Sequence, residues 1–414
     1  MLRWALRRLR EKLWFRPLLA CLVSIVSVWV ASVLDRIPIS LPLPKISVDS
    51  LEFLLSVLAT SMLVMATFAV GAMVSAYASA SVIATPRSVS LVIADDVSQN
   101  TLSSFLGAFI FSLVALSALK NDVLEEIGIL LISALTILAY TLVIGAFLRW
   151  VDRIARLGRM STTIDAVEEA AHSALQHYRH HPNLCALPVE PLESNAVPIY
   201  ASDIGYVQHI DIDALQNAAE TDRGLIEISA TPGSFACPNQ PLAYWIAEDA
   251  VAEFAPENIC SAFVIGGDRT YEYDPRLGLL ALSEIGSRAL SPGVNDPGTA
   301  IDVIGTLVRL FSNWAAPCPD AAEEKPKYTR VRCPALSTHD LFDDAFGAIA
   351  RDGAANVEVM VRLQKGLAAL AVLPAPDVRE AAMTQSALAL ERAALAMNFE
   401  KDLAAARQAA PKPQ

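Results

Sequence analysis

Four long stretches of this chain contain no aspartate, glutamate, lysine, arginine or histidine: residues 17–34, 53–85, 102–119 and 127–148. Ionisable side chains inside a bilayer are costly and mark ion paths and proton relays, so their absence counts against a proton-coupled transporter or pump. A channel lined by hydroxyls and backbone carbonyls is not excluded. Cysteine is sparse too. The six residues Cys21, Cys185, Cys237, Cys260, Cys318 and Cys333 are scattered, with no Cys-x-x-Cys pair, so neither a disulfide frame nor a structural zinc site is indicated. The chain also lacks a phosphate-binding P-loop, a Gly-x-Ser-x-Gly elbow, a His-Glu-x-x-His helix and a Gly-x-Gly-x-x-Gly turn. We therefore expect no enzyme, no catalytic residue, no metal and no cofactor.

What the charge-free stretches offer is length. Eighteen apolar residues at 17–34 span ~27 Å as a helix, close to the ~30 Å hydrocarbon layer, and the other three are as long or longer. Four transmembrane helices within residues 1–150 follow, with the bilayer as their partner. Arg3, Arg7, Arg8, Arg10, Lys12 and Arg16 precede the first span, and Arg149, Arg153, Arg156 and Arg159 follow the fourth. The positive-inside rule then puts both termini in the cytoplasm of a multi-pass protein of the bacterial inner membrane. The basic start resembles a signal peptide, but its apolar core is too long, "VASVLDRIP" is a poor cleavage site, and another span follows.

The second stretch would run ~50 Å as one helix, so it must tilt or project beyond the bilayer. Within it Thr67, Gly71, Ser75 and Ser79 recur every four residues, as do Ala72, Ala76 and Ala80. Small residues at that spacing let helices approach closely. The stripe serves either packing within one subunit or the seam of a homo-oligomer, and both remain open. Thr85-Pro86-Arg87 ends the span.

Residues 1–150 hold 11 Lys and Arg against 9 Asp and Glu, of totals of 32 and 44, leaving 21 against 35 for the remainder. That part is acidic, which excludes nucleic acid as a broad-surface partner. Its pattern predicts an amphipathic helical connector over 151–195, a small β-rich module over 196–265, a helical region over 266–405 and a disordered tail over 406–414. His172, His177, His180 and His181 invite a metal reading, but only 177 and 181 have helical two-ligand spacing, so a solvated helix end is the simpler assignment. Gly205, Pro232-Gly233 and Pro238-Asn239 punctuate the β-module.

"RALSPGVNDPGTA", residues 288–300, lies between two helical patterns. Pro292 stops the first helix near Leu290; Asp296 as N-cap and Pro297 as first residue start the second. Helix punctuation leaves Arg288, Ser291, Asn295 and Thr299 without a purpose. With Arg269 and Asp274 just upstream, these residues and Asp296 make a candidate contact for a small anionic ligand, a cytoplasmic protein or another subunit. The competing reading is a structural corner, with Arg288 paired to Glu284 along the helix.

"ASASVIATPRSVSLVI", "FLGAFIFSLVAL", "DIGYVQHIDIDAL" and "DRTYEYDPRLGLLALSEIGSRALSPGVNDPGTAID" resemble a bacterial family of inner-membrane proteins, domain-of-unknown-function family 2254. The resemblance spans most of residues 10–370 and implies architecture and address without a mechanism. The expectation is an α-helical membrane protein: four transmembrane helices followed by a cytoplasmic α+β domain with a small β-rich module and C-terminal helices. Its function would be that of an oligomeric channel or transport-like protein with a sensing domain, or of a membrane-anchored scaffold binding a cytoplasmic partner.

Overall fold

The computed structural model describes residues 15–34, 46–83, 85–93, 96–154, 159–192, 195–248, 254–318 and 326–412, without the side chains of 79–83, 89–90, 92–93 and 96. It divides into two units, Met1–Thr163 and Ile164–Gln414.

The first unit is helical: α1 (Phe15–Leu34), α2 (Val48–Ile83), α3 (Pro86–Ile93), α4 (Asp96–Lys120) and α5 (Glu126–Ile154). Helices α1, α2, α4 and α5 are each long and apolar enough to cross a membrane. Each contains one of the charge-free stretches or nearly all of it, because a backbone in hydrocarbon must satisfy its hydrogen bonds internally. Helix α2 has 36 residues, ~54 Å of rise. Helix α4 packs against α1, α2 and α5. Phe111 and Ala115 of α4 meet Val28 and Ala31 of α1, Leu51 and Leu55 of α2 and Ile132 of α5 in one buried cluster. Gly107 allows close approach to α1: a Cβ there would stand 3.1 Å from that of Ala20, and the Ser24 hydroxyl donates to the Gly107 carbonyl at 2.9 Å. Leu18, Val23, Trp29, Phe53, Val64, Phe68, Ile137 and Leu148 stay exposed, as lipid-facing side chains should.

The second unit joins two sheets to a helical layer. Its first helix, α6, spans Met160–His180 from just before the unit boundary. A five-stranded sheet has the order β1 (Ala186–Leu187), β8 (Tyr328–Arg332), β4 (Gly224–Ile228), β6 (Pro241–Ala247), β2 (Val197–Tyr200). Strand β8 runs parallel to β1 and β4, and the other pairs are antiparallel. A three-stranded sheet places β3 (Gly205–Ile210) between β5 (Phe235–Ala236) and β7 (Phe263–Gly266). Both sheets share one core with α7 (Ile212–Thr221) and α8 (Pro256–Ser261), centred on Val207, Leu215, Ile226, Trp245 and Ile259. The β-structure therefore reaches beyond 196–265. Strand β1 lies in the segment read as connector and β8 in the segment read as helical and linker. A parallel partner for β4 needs a long crossover, which the intervening helices supply.

Among the described residues six further helices follow: α9 (Pro275–Ala289), α10 (Pro297–Trp314), α11 (Thr338–Asp352), α12 (Val357–Ala371), α13 (Pro376–Ala396) and α14 (Glu400–Ala409). The last overturns part of the expected disordered tail, since 406–409 are helical and Ala406 is buried. Phe311, Phe342 and Phe346 form the centre of this layer, with ring centroids 4.1, 5.6 and 5.5 Å apart. All three are fully buried, so Phe311→Ala should destabilise the unit by about 3–5 kcal/mol, read as a lowered denaturation midpoint of the full chain in detergent.

Candidate functional site

Asp274 is the residue on which the segment before α9 converges. Its carboxylate is 2% exposed and accepts the Arg276 and Leu277 backbone N–H groups at 3.1 and 3.2 Å, capping α9 with Pro275 at the first helical position. Arg269 closes on the same carboxylate through two bonds, Nε to Oδ2 at 2.6 Å and Nη2 to Oδ1 at 2.9 Å. Gly233 lies against it with φ of +91°, and a Cβ there would fall 2.5 Å from Oδ2. One buried charge thus fixes a turn of the β-part, the segment 269–273 and the start of α9. Arg276 extends the network to Asp340 and Asp344 of α11, and these carboxylates hold its guanidinium pKa above the ordinary value.

The other candidate residues lie at the far end of α9, about 22 Å away by helical rise over its 15 residues. There the polar groups bond to one another. The Ser291 hydroxyl donates to the Arg288 carbonyl at 2.7 Å, and the Asn295 N–H to the Ser291 carbonyl at 2.9 Å. Asn295 itself sits in the left-handed region at φ of +50°, a conformation asparagine tolerates better than most residues. Asp296 caps α10, accepting the Thr299 N–H at 3.1 Å and its hydroxyl at 2.6 Å. Those two bonds hold its carboxyl below the usual carboxylate range. The seven candidate residues thus form two groups, Arg269 with Asp274 and the 288–299 corner, and not one constellation.

In α2, Thr67, Gly71 and Ser75 are exposed, and nothing lies within 4 Å of a Cβ built on Gly71. The buried face of that helix is instead Met62, Ala66, Ala69 and Met73. The side chain of Ser79 lies outside the described residues.

The histidines hold a feature that spacing did not reveal. His180 and His181 are exposed, but His177 is half-buried against Tyr273, with centroids 5.8 Å apart, and His181 at 4.9 Å. His209 of β3 approaches the same Tyr273 ring at 4.6 Å. Desolvation lowers the pKa of both His177 and His209, against an opposing pull from Glu272. The contact joins positions 177, 209 and 273, and no local pattern signals it. Among the described residues no group of three or more His, Cys, Asp or Glu is arranged to hold a metal. Cys333 is buried and its thiol pushed up to about 12, which keeps it protonated and inert.

These features define a membrane protein of four apolar helices with an appended α+β unit. The chain belongs to the DUF2254 family of membrane proteins, whose model matches residues 10–369. It is similar to uncharacterized proteins of Mycobacterium bovis and Mycobacterium tuberculosis, each 29% identical over 218 residues, 51% of this chain and 42% of the relative. The match thus spans less than half the length of these curated relatives. No solved structure matches it significantly.

Asp274→Ala removes the cap and strands a half-buried guanidinium, so it should cost about 3–5 kcal/mol. Asp296→Ala should cost about 1 kcal/mol through the lost cap alone. Because the Asp296 carboxyl is held low, its contribution is present at neutral pH and above the unfolded carboxylate value of about 3.9, and fades as pH falls through the folded value. Paired denaturation curves of the two variants at neutral and acidic pH check all three statements.

Proposed function

We propose that the protein is an oligomeric inner-membrane protein that conducts or gates a small solute, with both termini and the second unit in the cytoplasm, the latter as its sensing part. One observation carries the reading: the outward face of α2. Ser56, Thr60, Thr67, Gly71 and Ser75 all stand on the exposed side of a helix whose other face is already packed. The Thr60 and Thr67 hydroxyls donate to the carbonyls four residues back, Ser56 and Leu63, at 2.9 Å, so they cost little in lipid and keep oxygen lone pairs for accepting from a permeant water or coordinating a cation. A second copy meeting this stripe would find small side chains that admit close approach. The basic flanks of the first and fourth spans support the orientation.

Gly71 makes the reading testable because the single subunit has room at that position. Gly71→Leu should leave expression and membrane insertion unchanged while lowering the oligomer mass in mild detergent and abolishing solute flux in proteoliposomes. A variant that keeps wild-type mass and flux would overturn it.

A second reading, a membrane-anchored regulator of a partner protein, draws on α13 and the segment after it. Leu388, Leu395 and Phe399 are exposed there, Leu395 by 90%. Leu395→Lys should then abolish co-purification of the partner and leave flux unaltered.

A further inference from the structure

We infer that His177, His209 and Tyr273 form an acid-releasable clasp, in which two neutral imidazoles on different elements hold α6 and β3 to the segment that leads into α9. The Tyr273 ring is the shared platform, 5.8 Å from His177 and 4.6 Å from His209. Around His177 stand His181 just beyond its helix, Glu272 beside the platform, His180 at the helix end, and His209 from β3. Around His209 stand Asp211 at the end of its strand and Glu272. The two carboxylates can accommodate a first imidazolium, whose charge then opposes a second across the same ring.

The sign of the effect is set by desolvation, which disfavours the charged form of both histidines in the closed state. An open state with ordinary imidazoles, near pH 6.5, binds more protons below that pH. The clasp therefore contributes its full stability above about pH 6.5 and loses it as pH falls from there toward the lower closed-state values.

The end of α6 is poised for release by a separate feature. Asn183, Leu184 and Cys185 follow it in succession with φ of 54°, 54° and 62°, a run that L residues disfavour. It is held by the Leu184 N–H on the His181 carbonyl at 3.0 Å and by the Asn183 amide on the Cys333 carbonyl at 3.0 Å. Freeing the histidines lets this turn relax.

As an input to the sensing unit the clasp rests on the reading above, but its test reads the clasp alone. Hydrogen exchange of the full chain in detergent, corrected for intrinsic pH dependence, is compared at about pH 7.5 and about pH 5.5. Residues 172–185, 205–211 and 268–274 should exchange at least about threefold faster in acid, while the Phe311 layer does not change. The double variant H177Q/H209Q should lose this response. Should it fail to insert, Tyr273→Ala should show the acid pattern already at the higher pH. No acid response in the wild type, or an undiminished one in either variant, overturns the clasp, whereas loss of flux with an intact exchange response would overturn only the channel.

Discussion

An ionised group taken out of water costs several kcal/mol even after its surroundings relax, and the two units of this chain meet that cost in opposite ways. In the spans the cost is avoided: the buried clusters of α1, α2, α4 and α5 are assembled from Ala, Leu, Val, Ile, Met, Phe and Trp150 without an ionised side chain, and the buried hydroxyls of Ser112 and Thr136 return to their own helix. In the second unit two carboxylates are buried among the described residues, Glu227 facing Arg332 and, more deeply, Asp274, around which the local structure is arranged to compensate the charge. Two helix N–H groups, a bidentate guanidinium and the start of a helix dipole all face it. Removing the carboxylate would strand the guanidinium and both N–H groups together, and Gly233 packs against the same carboxylate, so its turn and the start of α9 are fixed together.

The same constraint separates the 288–300 corner from a binding site of the simplest kind. A helix start attracts anions because its first N–H groups are unfilled. Here Asp296 supplies the anion from within the chain, and Ser291 and Thr299 spend their hydroxyls on local oxygens. What is left for an outside partner is a compact, exposed shape whose backbone at Asn295 is already committed to the left-handed region.

How much of this was legible in the sequence depended on the range of the signal. The spans were readable because lipid imposes composition on every residue of a stretch at once. The ends of α9 and α10 were readable because Pro292, Asp296 and Pro297 act on their immediate neighbours. Strand β8 was not: five residues, Tyr-Thr-Arg-Val-Arg, with Arg330 and Arg332 among them, look like the polar linker before them until their pairing to β4 and β1 is known. Arg332 tolerates that position because Glu227 of β4 and Glu190 face it. The ring contact at Tyr273 was hidden for the same reason, since its two histidines are separated from it by 64 and 96 positions.

The small-residue stripe of α2 shows how a sequence pattern and its physical use can part. Spacing by four residues identifies a face but not its neighbour, and packing within one subunit and packing between subunits predict the same letters. The structure divides the helix instead: Ala66, Ala69 and Met73 are covered by α4 and α5, while Thr67, Gly71 and Ser75 face away from that cluster. A lipid-facing helix surface gains nothing from glycine, which weakens a helix by ~1 kcal/mol relative to alanine. In the proposed oligomer, the open space over Gly71, on a span otherwise rich in bulky outward residues such as Phe68 and Val74, is where a neighbour would approach the backbone.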